Sequence, residues 1–192
     1  MKKILLINGH PDKESYCHSL AKAYENGVKS TGSEFKYISI VDLKFNPNLE
    51  YGYRKRTELE PDLVEAWDKI LWADHLVWVY PVWWASYPAI MKGFIDRLFL
   101  PTMAFKKREN SLLADGLLKG KTARIISTLD QPVWFYCLVN HRPSHWALSR
   151  NTLHFCGVRK IKTTTFGPIR LSKQHWRERN IQYVEELGKH LR

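Results

Sequence analysis

Apolar positions recur along this chain with two periods. Residues 2–8 carry an unbroken apolar run, Ile4-Leu5-Leu6-Ile7, that stops at Gly9, the pattern of a strand covered on both faces. Ser15 then caps a helix predicted to reach about residue 30, with Leu20, Ala23, Tyr24 and Val28 at helical spacing and Thr31-Gly32 at its end. Residues 35–41 alternate like a second strand, and a polar loop rich in Asn, Pro and Tyr covers 44–60. Pro61 opens a second helix, where its missing N–H costs nothing. The stripe of that helix is Leu63, Val64, Trp67, Ile70 and Leu71. HLVWVY at 75–80 is a third strand, apolar throughout. Ser86 is placed to cap the next helix, with Pro88 just inside and Ile90, Met91, Phe94, Ile95 and Leu98 on one face. A fourth strand is expected at 121–128, a helix at 148–155 ending near Gly157, a fifth strand at 158–166 and an amphipathic helix at 172–191.

Strands thus alternate with helices. Alternation of this kind implies right-handed crossovers and a parallel sheet covered on both faces. Five strands at this spacing predict an α/β three-layer sandwich with flavodoxin-like strand order 2-1-3-4-5. Neither a repeat nor a linker interrupts the 192 residues, so residues 1–192 are expected to form one domain. The string YPVWWASYPAIMKGFIDRLF, residues 80–99, raises the question of a membrane segment. Its uncharged stretch, 76–91, is too short for the roughly 20 apolar residues of a span, and prolines interrupt it. It divides instead into strand, loop and helix.

That division places 81–85 at the carboxyl end of the third strand. In this topology the loops after the first and third strands are neighbours at the switch point, where such sheets bind ligands. Trp83 and Trp84 there either line a planar heterocycle or belong to core or interface. The first loop, Gly9-His10-Pro11-Asp12-Lys13-Glu14-Ser15, leads into a helix N-terminus, a natural anion site. It is neither a phosphate-binding GxxxxGK[ST] loop nor GxGxxG. It suits one phosphate, or is an ordinary cap.

Composition changes this picture little. With 44% hydrophobic and 26% charged residues the chain reads as an ordinary soluble protein. Met1-Lys2-Lys3 and the apolar run after it stop short of a signal peptide's apolar region of roughly 7–15 residues. Three cysteines without CxxC argue against disulfides and zinc and fit a reducing, cytoplasmic setting. The net charge of +11 reads as a solvated basic surface or as attraction for small anions. No groove-reading motif accompanies it, so nucleic acid is not expected as a partner. His141 and His145 are four apart, but Pro143 lies between them and no carboxylate joins them, so no metal is expected. Cys137 and Cys156 sit among apolar residues, as buried structural thiols do; Cys17 lies at a helix start, where a thiol's pKa can fall, but a role in backbone packing is the preferred reading.

These stretches resemble the flavodoxin-like NAD(P)H:quinone oxidoreductases. The likeness rests on GHPDKESYCHSLAKAY, YPVWWASYPAIMKGFIDRLF, LLADGLLKGKTARIISTLDQPVWFY and LHFCGVRKIKTTTFGPIR, and covers nearly the whole chain. It implies two-electron, ping-pong hydride transfer from NAD(P)H through a bound flavin to a quinone or similar flat acceptor. By position, it implies that His10, Ser15, Tyr16 and Cys17 hold the flavin phosphate. Pro81, Val82, Trp83 and Trp84 would line the ring, completed by Thr128, Leu129, Asp130 and Gln131. Tyr136 matches the family tyrosine that stabilises the reduced ring, and His141, with His145 as second candidate, stands near its histidine partner. The glycine pair of mammalian relatives after the fourth strand is replaced here by Asp130-Gln131-Pro132. The short chain favours FMN over FAD. The resemblance further implies a homodimer without membrane insertion. It also includes ancillary reductases of potassium-efflux systems, which leaves a peripheral transporter partner as an alternative. A non-catalytic flavin carrier is the other rival, although such carriers are usually acidic.

Overall fold

The computed structural model describes residues 1–191. Its elements are β1 (Lys3–Asn8), α1 (Tyr16–Lys29), β2 (Glu34–Ser39), α2 (Pro61–Trp72), β3 (His75–Pro81) and α3 (Ala89–Leu98). Then come β4 (Phe105–Lys107), β5 (Ala114–Gly116), β6 (Thr122–Thr128), α4 (Val133–Leu138) and α5 (Pro143–His145). α5 runs on into a π-helical stretch, Trp146–His154, before β7 (Arg159–Phe166) and α6 (Gln174–Lys189).

β2-β1-β3-β6-β7 form one sheet, its paired strands all parallel, and β4 and β5 form a separate antiparallel hairpin. With the hairpin set aside, the order is the expected 2-1-3-4-5. The unbroken apolar run of β1 has a simple cause. Leu5 and Ile7 point into the core beneath α2 and α3, while Ile4 and Leu6 point into the core beneath α1 and α6. At roughly 25 cal/mol per Å² of apolar surface, this two-sided burial is the main force holding the layers together.

Several local expectations are corrected. β2 ends at Ser39, and Ile40–Asp42 form a 3₁₀ turn. Val64 and Leu71 are exposed, so the buried stripe of α2 is Leu63, Ala66, Trp67 and Ile70. Ser86 does not cap α3; Pro88 is its N-cap, and Ser86 closes a tight turn with Trp83. The β4–β5 hairpin and α4 carry no period long enough to predict. In β7, Lys160 takes a left-handed φ of 52° and is skipped in the pairing with β6, an ordinary bulge.

α1 and α6 pack unusually close. A Cβ built on Gly27 would lie 2.0 Å from the Glu185 carbonyl oxygen, and one on Gly188 would lie 2.4 Å from that of Tyr24. Only glycine permits this approach, which sets the last turns of α1 and α6 side by side; at their starts the Tyr16 hydroxyl donates to the Arg177 carbonyl. No helix among the described residues is long and apolar enough to cross a membrane.

Candidate functional site

The carboxyl ends of β1, β3 and β6 open into a cavity of about 370 Å³. Its first wall is the loop after β1. Buried Asn8 anchors that loop: its Nδ2 donates to the Tyr37 hydroxyl (3.1 Å), and its Oδ1 accepts from the His10 N–H (3.0 Å). His10 Nδ1 accepts from the Asp12 N–H (3.0 Å), which leaves the ring proton on Nε2. Burial holds the imidazole's pKa below its ordinary value, against the pull of Asp12. Asp12 is itself engaged, its Oδ1 accepting from the Glu14 N–H (2.9 Å).

Ser15 caps α1 by accepting from the His18 N–H (3.3 Å). The backbone N–H groups of Tyr16 and Cys17, in the first turn, have no partner within the helix. With the helix dipole they make the end of α1 attractive to an anion. The Cys17 thiol lies 3.2 Å from the Thr128 hydroxyl, and burial pushes its pKa up to about 12. It is a packed thiol rather than a reactive one, so the lowered pKa considered for a helix start is not realised.

The opposite wall contains Ile169 and Arg177, neither singled out by the sequence reading. Arg177, in the first turn of α6, donates from Nε to the Ser172 hydroxyl (2.8 Å) and from Nη2 to the Ile169 carbonyl (2.9 Å). Its guanidinium stands 5.9 Å from the Tyr16 ring, and the Tyr16 hydroxyl donates back to the Arg177 carbonyl (3.0 Å). Burial raises that phenol's pKa to about 12, so it stays a donor at neutral pH. Nη1 takes no part in these bonds, and the guanidinium as a whole carries a fixed positive charge on this wall. The basic run 170–179 was the available signal, but periodicity does not say which arginine faces the cavity.

The loop after β3 forms the third wall. Val82 N–H donates to the Thr128 carbonyl (2.7 Å), and Trp83 and Ser86 exchange two backbone hydrogen bonds (2.8 and 2.9 Å). Between them Trp84 and Ala85 take φ of 50° and 60°, so the loop is a two-residue turn with both central residues left-handed. This turn sends the two indoles different ways. Trp83, 45% exposed, lines the anion cavity and meets the His10 ring edge-on at 5.5 Å. Trp84 is fully exposed and lines a second, more open cavity of about 580 Å³ together with Ala85, Gln131 and Asn140. Val82, Leu129 and Asp130 border both cavities, which therefore form one trough. Asp130 Oδ1 accepts from the Arg170 N–H (2.8 Å), which ties the loop after β6 to the one after β7.

The structure thus gathers all the expected cofactor-binding residues around one trough. It does not bring Tyr136 or His141 there. Tyr136 is buried, with its hydroxyl 2.6 Å from the Ser144 Oγ, which is also 3.4 Å from the Tyr80 hydroxyl. His141 is exposed, at a φ of 55°. His145 is buried, with Nε2 2.9 Å from the Ser127 Oγ and 3.4 Å from the Thr165 Oγ1. Burial, with a smaller push from Arg142, lowers its pKa to about 4.

Fold and trough together define an α/β protein with a helix N-terminus and an arginine beside a broad indole-lined groove at the switch point of its sheet. The chain belongs to the family described as having the flavodoxin-like fold, whose model matches residues 2–191. Over 95% of its length it is 28% identical to a Haemophilus influenzae protein named as an uncharacterized NAD(P)H oxidoreductase, and the match covers 92% of that protein. It is 25% identical to the ribosyldihydronicotinamide dehydrogenase (quinone) of Rattus norvegicus, over 97% of this chain and 90% of that one. Among solved structures, an FMN-dependent NADH-azoreductase from Bacillus anthracis in complex with FMN superimposes with a TM-score of 0.76 at 21% identity. That match covers 100% of this chain and 99% of the other.

Proposed function

We propose that the protein is a flavin-dependent oxidoreductase that uses NAD(P)H to reduce quinones or similar flat acceptors in a ping-pong cycle, with FMN as its cofactor. The observation that carries this reading is the trough itself: the start of α1 and Arg177 at one end, continuous with an indole-lined groove. The residues fit FMN. The end of α1, Ser15 and Arg177 would hold its single phosphate, and the backbone of Pro81–Trp83 and Thr128–Asp130 would border its ring. When bound, FMN supplies hydride transfer between reductant and acceptor. The chain's own contribution is position and charge. Arg177 and the α1 dipole offset phosphate charge, Val82 is fixed by its bond to Thr128, and Trp84 offers a flat face beside the groove. In such a cycle NAD(P)H and acceptor would use this open groove in turn.

The protein acts as a homodimer in this reading. Exposed Leu112 and Leu113 on the β4–β5 hairpin, and exposed Trp134 and Leu138 on α4, are apolar surface suited to a second copy. The test is a visible spectrum of the purified protein, chromatography of the extracted flavin, and turnover of benzoquinone with NADH and NADPH. FMN extraction and bleaching by either reductant are expected. A colourless protein that cannot be reconstituted with FMN or FAD overturns the reading.

A further inference from the structure

A second cavity, about 180 Å³, lies between the loop after β2 and the loop after α3 and shares no residue with the trough. Its floor is apolar: Leu49, Leu100, Pro101 and Met103. Its polar side is the run Lys55-Arg56-Thr57. The loop that carries this run is pinned to α3 by Arg97, a buried guanidinium. Its Nη1 donates to the Asn46 carbonyl and to Glu60 Oε1 (3.1 Å), and its Nη2 to the Glu58 carbonyl (2.7 Å) and Glu60 Oε2 (2.8 Å). Chain on both sides of residues 55–57 is thereby held in place.

The cations of the run are not neutralised locally. Lys55 Nζ sits over the Tyr51 ring at 4.9 Å, and the nearest carboxylate to Arg56 is exposed Glu58 at 4.0 Å, an ion pair of little strength at the surface. Of the other acids of the loop, Glu60 is paired with Arg97, and Glu50 accepts from Asn46 Nδ2 (3.0 Å) and forms no ion pair with Lys55 or Arg56. Next to the two cations in sequence, the Thr57 hydroxyl is shielded from solvent and has no hydrogen-bond partner within the described residues, so its bonding capacity is unspent. Lys55 and Arg56 are both exposed, so their side chains are free to reorient about an oxyanion in the cavity.

We propose that this cavity binds a small aromatic anion, a single ring bearing one phosphate. The ring would lie on the apolar floor, with the phosphate held by Lys55, Arg56 and the Thr57 hydroxyl. The volume sets the size, since drug-sized ligands take roughly 300–1,000 Å³, so a dinucleotide does not fit. The charge sets the class, because a guanidinium beside an ammonium matches a tetrahedral oxyanion. This site is separate from the trough and does not rest on the flavin reading.

Phenyl phosphate is the probe, titrated calorimetrically into protein saturated with FMN, so that the trough's anion site is filled, and into protein without added FMN. Saturable binding is expected under both conditions, with inorganic phosphate and phenol each at least tenfold weaker. The exposed pair Lys55→Ala/Arg56→Ala should lose at least tenfold, and Thr57→Val several-fold. Amide shifts in the wild-type protein, which need no variant, should cluster at 49–57 and 100–103. The proposal is overturned by absence of saturable binding, by loss of binding when FMN is added, by full affinity in the double variant, or by shifts confined to the trough.

Discussion

At the scale of single residues, the site divides into what a sequence displays and what only a fold can assign. Ser15 was legible, because a cap before a helical period has a local signature. The different directions of Trp83 and Trp84 were not, because they follow from two successive left-handed residues, which no hydrophobic pattern announces. Arg177 was hidden in a basic run; its place at the cavity follows from the contact between α1 and α6. A charge-assisted contact to phosphate is worth roughly 1.5–3 kcal/mol, so Arg177→Gln should weaken FMN binding by about ten- to a hundredfold in a fluorescence titration. Affinity equal to wild type would remove Arg177 from the cofactor site. Trp84→Gly makes a different prediction. A left-handed non-glycine residue costs on the order of 1 kcal/mol, and this indole is fully exposed. The variant should therefore keep or slightly raise Tm while quinone turnover falls, whereas a fall in both would make Trp84 a structural residue.

At the scale of elements, the strands were the most readable feature, since two-sided burial leaves runs such as Ile4–Ile7 and HLVWVY that admit few other interpretations. Helix faces were read less well where an apolar residue meets solvent, as at Val64 and Leu71. The short hairpin and α4 left no signal because three to six residues are too few to distinguish a repeat from chance. The α1–α6 contact also escaped notice. It depends on the absence of a side chain at Gly27 and Gly188, and a glycine inside a helical pattern gives no sign of what lies opposite. Overpacking of this kind costs typically about 1–3 kcal/mol. Gly27→Ala should therefore lower stability by that amount in urea unfolding. Because α6 carries Arg177, the same substitution should also loosen FMN. A variant of unchanged stability would mean that the helices can separate without cost.

At the scale of the whole molecule, two buried histidines sit toward opposite ends of the sheet's strands and link its stability to pH. His75 Nδ1 lies 2.7 Å from the Thr122 hydroxyl, where β3 and β6 begin. His145 reaches the Ser127 and Thr165 hydroxyls near the other end of β6 and β7. Burial is the main cause that lowers both pKa values to about 4. An unfolded histidine titrates near 6.5. Between these values the unfolded chain binds protons that the folded chain refuses, so stability is full above about pH 6.5 and falls as pH drops towards 4. From pH 7 to pH 5 each histidine should remove about 2 kcal/mol, in a range where most carboxylates are still charged. Urea unfolding across that range should thus show a loss approaching 4 kcal/mol for the pair. His75→Asn and His145→Gln place an amide near the ring nitrogen that makes each contact, and each should flatten the profile by about half. On the proposed reading, the spectrum of bound FMN would separate the two ends of the sheet. If the loops after β3 and β6 depend on the His145 cluster, flavin release on acidification should be delayed by His145→Gln and unaffected by His75→Asn. Equal effects of the two substitutions would mean that flavin is lost only through global unfolding.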